Sequence, residues 1–184
     1  MHRIFIGMIW VFINFNLDIG DMRIGLIPNF VGYYFMLKGL SEIMEFSSRF
    51  SKIMPFVKGM IVYSVITYVI DLFGGSLEIE YVNTPVGLLF ISMGIISTLL
   101  SIFISYNIIM GIKDIEIIKQ RDLNTNQLYS IWKLLVTFSI ITHFFVFTHA
   151  MLAIVSILVG FVIQIVYLFA FWKTKNLYYN TNSS

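Results

Sequence analysis

The longest part of the chain without a formal charge runs from Leu134 to Trp172, and it constrains the fold more than any other feature. Its 39 residues would form a single helix about 58 Å long, roughly twice the ~30 Å hydrocarbon core of a bilayer. The run must therefore fold back on itself, and the predicted turn is at Thr148-His149-Ala150. Two antiparallel membrane helices are expected here.

The composition extends this conclusion to the whole chain. Of its 184 residues, 58% are hydrophobic and 12% charged, whereas soluble domains are about one quarter charged. Such a chain cannot coat a compact core with polar groups, so most of its surface must face the lipid bilayer. A net charge of +2 gives no basic face for nucleic acid, and the absence of Cys removes disulfides and thiolate chemistry.

Charged residues mark the boundaries of six apolar segments and indicate their orientation. With a cytoplasmic N-terminus, eleven of the twelve Lys and Arg lie on the inner side, and Arg23 alone lies outside. We therefore predict an all-α, polytopic transmembrane helical bundle of about six spans with cytoplasmic N- and C-termini. It forms a single domain, 1–175, followed by a polar tail, 176–184. The predicted spans are 4–17, 24–40, 57–73, 86–112, 133–149 and 150–172.

Two cytoplasmic segments show order of their own. In 41–57, apolar residues recur every three or four positions, which is typical of an amphipathic helix on the membrane interface, and Pro55 marks its predicted end. Those apolar residues are Ile43, Phe46, Phe50, Ile53 and Phe56. In the loop 113–132, the fourth span continues as a helix through Arg121, and Asn124 with Gln127 resembles a capping box that starts the fifth helix.

The first two spans are short. Segment 4–17 reaches only about 21 Å as a helix, and Pro28 in the second span fits best in a first helical turn. Residues 24–27 would then enter the membrane as irregular backbone, which protein or a wet cavity must shield. The sequence leaves open a tight structural turn or a functional vestibule.

Polar side chains inside the spans are costly and are therefore candidates for function. On the first span, Asn14, Asp18 and Asp21 share one stripe; on the third, Ser64, Thr67, Tyr68 and Asp71 do the same. His143 lies about 15 Å from Lys133, near the midplane, with Ser139 one turn away and Gln164 on the last span. The candidate ligand-binding residues are Asn14, Asp18, Asp21, Ser64, Tyr68, Asp71 and His143.

Two interpretations of these residues stay open. They could form an outward-open pocket for a cation or small polar solute, or they could join helices through hydrogen bonds of about 0.6–2 kcal/mol each. Clustering of Asn14, Asp71 and His143 around one cavity would favour the pocket. Small residues at spacings of three or four further predict close helix packing, namely Gly94, Ser97, Ser101 and Ser105 on the fourth span and Ser156 and Gly160 on the sixth.

The spacing of histidines and the short sequence motifs indicate neither a metal site nor a catalytic site. His143 and His149 are about 240° apart around a helix, so they cannot hold a metal as an i, i+4 pair does. The sequence contains no Gly-x-Ser-x-Gly elbow, P-loop or dinucleotide fingerprint. We predict no catalytic residue, metal ligand or cofactor. An intramembrane enzyme is therefore the least favoured functional class.

The run Ile27-Pro28-Asn29-Phe30-Val31-Gly32-Tyr33 resembles a Leu-Pro-Asp-Phe-Ile-Gly-Tyr-like motif of small integral membrane proteins from clostridia and bacilli. Asn29 occupies the acidic position of that motif. The resemblance implies a multi-pass protein of a bacterial cytoplasmic (plasma) membrane and no particular activity. A count of 31 Ile against 3 Ala, typical of AT-rich codon usage, favours the same origin.

The leading functional hypothesis is a non-enzymatic component that binds or transports a small solute or ion. In size and topology the chain is similar to the substrate-binding components of energy-coupling-factor vitamin transporters, although it lacks their Ala-rich stripe on the first helix. The alternative is a subunit of a membrane complex, or an interaction or immunity-type protein, that uses its cytoplasmic surface to contact another membrane subunit.

Overall fold

The computed structural model describes residues 1–12, 16–19, 22–25, 28–72 and 84–180. In this part of the chain, six α-helices account for nearly all of the structure, and one short β-hairpin joins the first two. The predicted all-α class is confirmed apart from that hairpin. The helices are α1 (His2–Phe12), α2 (Asn29–Ile43), α3 (Ser48–Leu72), α4 (Pro85–Lys119), α5 (Thr125–Thr148) and α6 (Ala150–Asn180).

The long uncharged run folds as its length requires. Helix α5 ends at Thr148, and His149 breaks the helix with an extended backbone, φ −151° and ψ 102°. Helix α6 then packs back along α5. The predicted turn at residues 148–150 is confirmed. Its physical reason is that a single helix of this length would exceed the bilayer.

The N-terminal region differs from the predicted span over 4–17. Helix α1 ends at Phe12, and residues 16–19 form strand β1, which pairs antiparallel with β2 (Met22–Gly25) and places Asp18 opposite Arg23. Asn and Asp at positions 16 and 18 disfavour helix, whereas strand pairing satisfies the backbone groups between the strands. The span over 4–17 and the irregular backbone at residues 24 and 25 are therefore wrong, and residues 26 and 27 lie outside the described residues.

Helices α1 and α2 pack with their backbones in contact. A Cβ atom added to Gly7 would lie 2.5 Å from the carbonyl oxygen of Gly32, and one added to Gly32 would lie 2.8 Å from that of Gly7. A Cβ on Gly39 would lie 2.7 Å from the backbone nitrogen of Ile4. Only glycine fits at these positions, and the short α1 is thereby fixed to α2, which begins directly after Pro28.

The predicted amphipathic segment 41–57 is not a separate helix. Its residues are divided among the end of α2, a 3₁₀ turn (Met44–Phe46) and the beginning of α3. Pro55 lies inside α3, so the prediction that it ends a helix is wrong. The carbonyl of Ser51 loses its i+4 donor there, but Ser51 and Pro55 are both exposed, so the surroundings can satisfy it.

The apolar face of this segment packs largely against the bundle. Ile43, Phe50 and Ile53 are buried, Phe46 is half-buried and Phe56 is exposed. The ring of Phe50 lies against Gly111 of α4, where a Cβ atom would overlap it. The face therefore contributes to the protein core.

Most of the loop 113–132 is helical as predicted, although α4 ends before Arg121. Helix α4 continues to Lys119 and α5 begins at Thr125, which leaves residues 120–124 between them. Asn124 precedes α5 as predicted, but its amide donates to the side-chain carbonyl of Gln127 at 2.5 Å and makes no cap to the backbone. Its φ of 64° reflects a left-handed residue rather than a regular capping box.

The C-terminal helix continues past the predicted boundary at residue 175. Helix α6 ends at Asn180, and Tyr178 is buried with its ring 4.3 Å from Nζ of Lys119. The phenol of Tyr179 accepts a hydrogen bond from the backbone of His2. Residues 176–180 are therefore packed helix rather than polar tail, because their apolar and aromatic groups reach the bundle.

One end of the bundle carries the ion pairs and cation–π contacts of the described residues, and we call it the charged end. Arg3 of α1 pairs with Glu42 of α2 at 3.0 Å, and Arg49 of α3 pairs with Asp114 of α4 at 3.4 Å. The hydroxyl of Thr125 at the start of α5 donates to Glu116 of α4. Lys175 of α6 lies 4.9 Å from the ring of Phe5. All six helices therefore begin or end here, and they alternate in direction.

Candidate solute-binding cavity

A cavity of about 500 Å³ lies between the helices. Its lining includes residues of all six helices, from Val11 on α1 to Gln164 on α6. On α5 and α6 the lining positions run from Leu135 to Thr142 and from Ile157 to Gln164, which places them about 10–22 Å from the turn at His149. The cavity therefore lies in the middle part of the α5–α6 hairpin.

Hydroxyl groups line this cavity, and most of them already donate a hydrogen bond within the protein. Each of six Ser and Thr hydroxyls donates to a carbonyl of its own helix, three or four residues earlier. An oxygen that donates in this way keeps its lone pairs for another partner. The six are Ser64, Thr67, Ser97, Thr98, Ser105 and Thr142.

Two hydrogen bonds between helices fix the wall formed by α4. The phenol of Tyr33 on α2 and the hydroxyl of Ser101 are 3.0 Å apart. The indole nitrogen of Trp132 on α5 donates to Ser105 at 2.9 Å. Trp132 itself packs against the rings of Tyr106 and Tyr129, which also contact each other. The positions of Ser101 and Ser105 are therefore set by two neighbouring helices.

Asn29 supplies an acceptor without a partner. Its side-chain oxygen is buried and has no hydrogen bond in the structure. Asn29 is the first residue of α2 and lines the cavity together with Tyr33, one turn later. A buried amide oxygen left without a donor costs about 1–3 kcal/mol. A ligand in the cavity that donates a hydrogen bond to this oxygen would therefore remove that cost.

The predicted site residues on α3 divide between the cavity and its surroundings. Ser64 and the neighbouring Thr67 line the cavity. Tyr68 packs its ring edge-on against Phe30, with the centroids 5.7 Å apart, and it is not a lining residue. Asp71 is half-buried one turn beyond Thr67 and is also not among the lining residues. Of the α3 stripe, only its first half contributes to this cavity.

The other candidates cannot be assigned to the cavity. Asn14 and Asp21 lie outside the described residues, and for Asp18 in β1 the backbone alone is described. His143 is a residue of α5, one turn beyond the lining residue Ser139, and its side chain is likewise outside the description. The clustering of Asn14, Asp71 and His143 that would favour a pocket is therefore untested for Asn14 and His143, and Asp71 is not among the described lining residues.

The small-residue repeat on α4 has a different role from the predicted one. Ser97, Ser101 and Ser105 line the cavity, and Ser101 and Ser105 contact α2 and α5 through the larger side chains of Tyr33 and Trp132. A Cβ atom added to Gly94 or Gly160 would meet nothing within 4 Å, so neither glycine is needed for close packing. Spacing alone identified this stripe, but not whether a helix or a cavity lies opposite it.

Sequence reasoning missed Asn29, Tyr33 and Tyr63 as cavity residues. Asn29 and Tyr33 stand one helical turn apart in the motif around Pro28, a signal that was available. Ser139 and Gln164, noted beside His143, do line the cavity. The described lining contains no charged side chain, and among the described residues no group of three His, Asp or Glu could hold a metal ion.

The exterior of the bundle identifies the class of protein. Met151, Leu158 and Val162 of α6 are 80%, 62% and 58% exposed, so apolar side chains cover its outer face. Three helical segments in the described part of the chain are long and apolar enough to cross a membrane, namely Ser48–Leu72, Gly87–Lys119 and Met151–Asn180. The fold defines a helical membrane protein with a cavity between its helices that carries several hydroxyl groups. Comparison with protein-family models, curated protein sequences and solved structures gives no match.

Proposed function

We propose that this protein binds a small polar solute or ion within its helix bundle, as a binding or transport component of a bacterial cytoplasmic membrane. The observation that carries the proposal is the 500 Å³ cavity, which is lined by hydroxyl groups and by the buried amide oxygen of Asn29, an acceptor without a hydrogen bond. Cavities of about 300–1,000 Å³ with a few placed polar groups are typical ligand sites. Hydrogen bonding between helices accounts for Ser101 and Ser105 but not for Asn29.

The absence of cysteine makes the cavity directly testable. A thiol reacts with a water-soluble methanethiosulfonate reagent as its thiolate, so the reaction requires water at the site. We expect Ser97→Cys and Ser139→Cys, both lining residues, to react faster than matched lipid-facing variants. The controls are Ile96→Cys and Ile140→Cys, which are 56% and 62% exposed on the same helices.

A mass shift measured over time on purified full-length protein gives the four rates. Equal rates within the pairs 96/97 and 139/140 would mean that no wet cavity exists and would contradict solute binding. Protection of Ser97→Cys and Ser139→Cys, but not of the controls, by a particular solute would identify a ligand.

The proposal includes six membrane crossings with the charged end in the cytoplasm. The alternation of the six helices and the concentration of Lys and Arg at that end support it. Helices α1 and α2, with 11 and 15 residues, are about 16 and 22 Å long. Because both are shorter than the hydrocarbon core, we propose that each crosses the membrane together with its strand of the hairpin. A reporter fused after Tyr179 should be active only in its cytoplasmic form, and outer-face labelling there would contradict this topology.

One observation favours a second candidate, a subunit of a membrane complex. Helix α4 has 35 residues and is about 52 Å long, so its end projects beyond a ~30 Å hydrocarbon core. Ile117 and Ile118 lie on this end and are 67% and 60% exposed. In native-membrane particles, a partner would give a mass above that of one chain, and Ile117→Gln with Ile118→Gln should reduce it. A single-chain mass for the unchanged protein would contradict this candidate.

Membership in the clostridial and bacillar group with the Pro28-Asn29-Phe30 motif is part of the same proposal. The cavity gives that motif a physical role, since Asn29 and Tyr33 both line it.

A further inference from the structure

We infer that the cavity is built for a small organic cation with an ammonium head and a short apolar body. The inference rests on the proposed solute-binding function and names its ligand class. It follows from the hydrogen-bond inventory of the lining, from its aromatic rings and from its size.

The inventory shows more acceptors than donors, although the amides of Asn29 and Gln164 and the phenol of Tyr63 also bring N–H and O–H donors to the lining. Six lining hydroxyls donate their single proton to their own helices and keep only lone pairs, one of which, on Ser105, already accepts from Trp132. The buried oxygen of Asn29 adds an acceptor that has no donor at all. An ammonium group carries three donors and no acceptor, so it complements such a lining. A carboxylate offers only acceptors and would face oxygen lone pairs.

Aromatic rings contribute to the same selectivity. Phe12, Tyr33, Tyr63 and Phe161 come from four different helices and all line the cavity. The negative face of an aromatic ring attracts a cation within about 6 Å, most strongly where water is excluded. The described lining contains no Lys or Arg that would oppose a cationic ligand.

The size of the cavity favours an organic cation over a bare metal ion. A metal ion such as Mg²⁺ or Ca²⁺ needs several oxygens within about 2.0–2.6 Å and usually carboxylates among them. A 500 Å³ space without a described carboxylate does not provide such a cage. Apolar side chains such as Ile102, Leu135 and Ile157 also line it, and they match a short hydrocarbon body.

The test uses three four-carbon probes on the purified full-length protein at pH 8, namely n-butylammonium, n-butanol and butyrate. Calorimetric titration and the unfolding temperature both report binding. We expect n-butylammonium to bind at least tenfold more tightly than the neutral or the anionic probe. Asn29→Leu should weaken its binding about tenfold, and Asn29→Asp, which places a carboxylate at the unpartnered position, should strengthen it by a similar factor.

Thr174→Val is the matched control. Thr174 also has a buried side-chain oxygen without a hydrogen bond, but it does not line the cavity. This variant should leave the affinity for n-butylammonium unchanged. An equal loss in Asn29→Leu and Thr174→Val would show that the loss reflects general stability and would overturn the assignment of Asn29 as a ligand group.

The remaining outcomes separate this inference from the proposed function. Preferred binding of butyrate would place the ligand on the backbone N–H groups at the start of α2 and overturn the cation assignment, as would equal binding of n-butanol. If none of the probes binds while Ser97→Cys and Ser139→Cys remain reactive, the ligand class is wrong and solute binding stands. If those thiols are also unreactive, the proposed function itself fails.

Discussion

The contact between α1 and α2 can be tested by adding a single methyl group. In Gly7→Ala, the new Cβ would lie 2.5 Å from the carbonyl oxygen of Gly32 and 2.8 Å from the backbone nitrogen of Met36. Both neighbours are backbone atoms, so relief requires the helices to move apart by several tenths of an ångström. Overpacking of this kind costs about 1–3 kcal/mol.

A second effect acts in the opposite direction and fixes the net magnitude. Alanine is favoured over glycine in a helix by about 0.5–1 kcal/mol. Gly7→Ala should therefore be destabilising by up to about 2.5 kcal/mol. Gly94→Ala and Gly160→Ala, where the added atom meets nothing within 4 Å, should be neutral or stabilising by up to about 1 kcal/mol.

The double variant Gly7→Ala with Gly32→Ala provides a further check. The two substitutions crowd the same approach of α1 to α2, so one separation of the helices relieves both. The combined loss should fall short of the sum of the single losses by about 0.5 kcal/mol or more. Unfolding of the purified protein by titration with a denaturing detergent measures all five variants. Equal effects for Gly7→Ala and Gly160→Ala would refute the backbone contact.

Two other substitutions test the structure away from that contact. Trp132→Phe removes the donor to Ser105 and part of a ring that is only 8% exposed, so we expect the free energy of unfolding to fall by about 1–3 kcal/mol. The control is Trp172→Phe, at a site that is 48% exposed. Equal shifts in thermal midpoint for the two variants would contradict the role of Trp132. Pro55→Ala restores a backbone donor within α3 at an exposed position and should stabilise the protein by about 1 kcal/mol or more, whereas a lower midpoint would show that α3 depends on the proline.

The sequence by itself determined the features that a bilayer imposes along one dimension. A run of 39 uncharged residues cannot cross once, so the turn at His149 follows from length alone. Pro28 and Asn124 lie directly before α2 and α5 because local backbone preferences act within a few residues. The all-α class has the same origin, since a membrane helix satisfies its own backbone hydrogen bonds.

The local signals were less reliable where tertiary contacts oppose them. Pro55 is a helix breaker by propensity, yet it lies inside α3, where packing of Phe50 and Ile53 on the bundle holds the helix on its N-terminal side. Residues 176–180 read as a polar tail, but Tyr178 is buried beside Lys119 and extends α6. In both cases the deciding contacts come from residues far away in the sequence.

Only the tertiary structure decided what lies opposite each polar or small residue. Ser97, Ser101 and Ser105 have the spacing of a helix contact and line a cavity. In contrast, Gly7, Gly32 and Gly39 share no short motif, yet they bring the backbones of α1 and α2 into contact. Periodicity gives the face of a helix on which a residue lies, but not the distance to the neighbouring helix. That distance depends on how six helices pack together, and it determines whether Asn29 meets a protein donor or an open cavity.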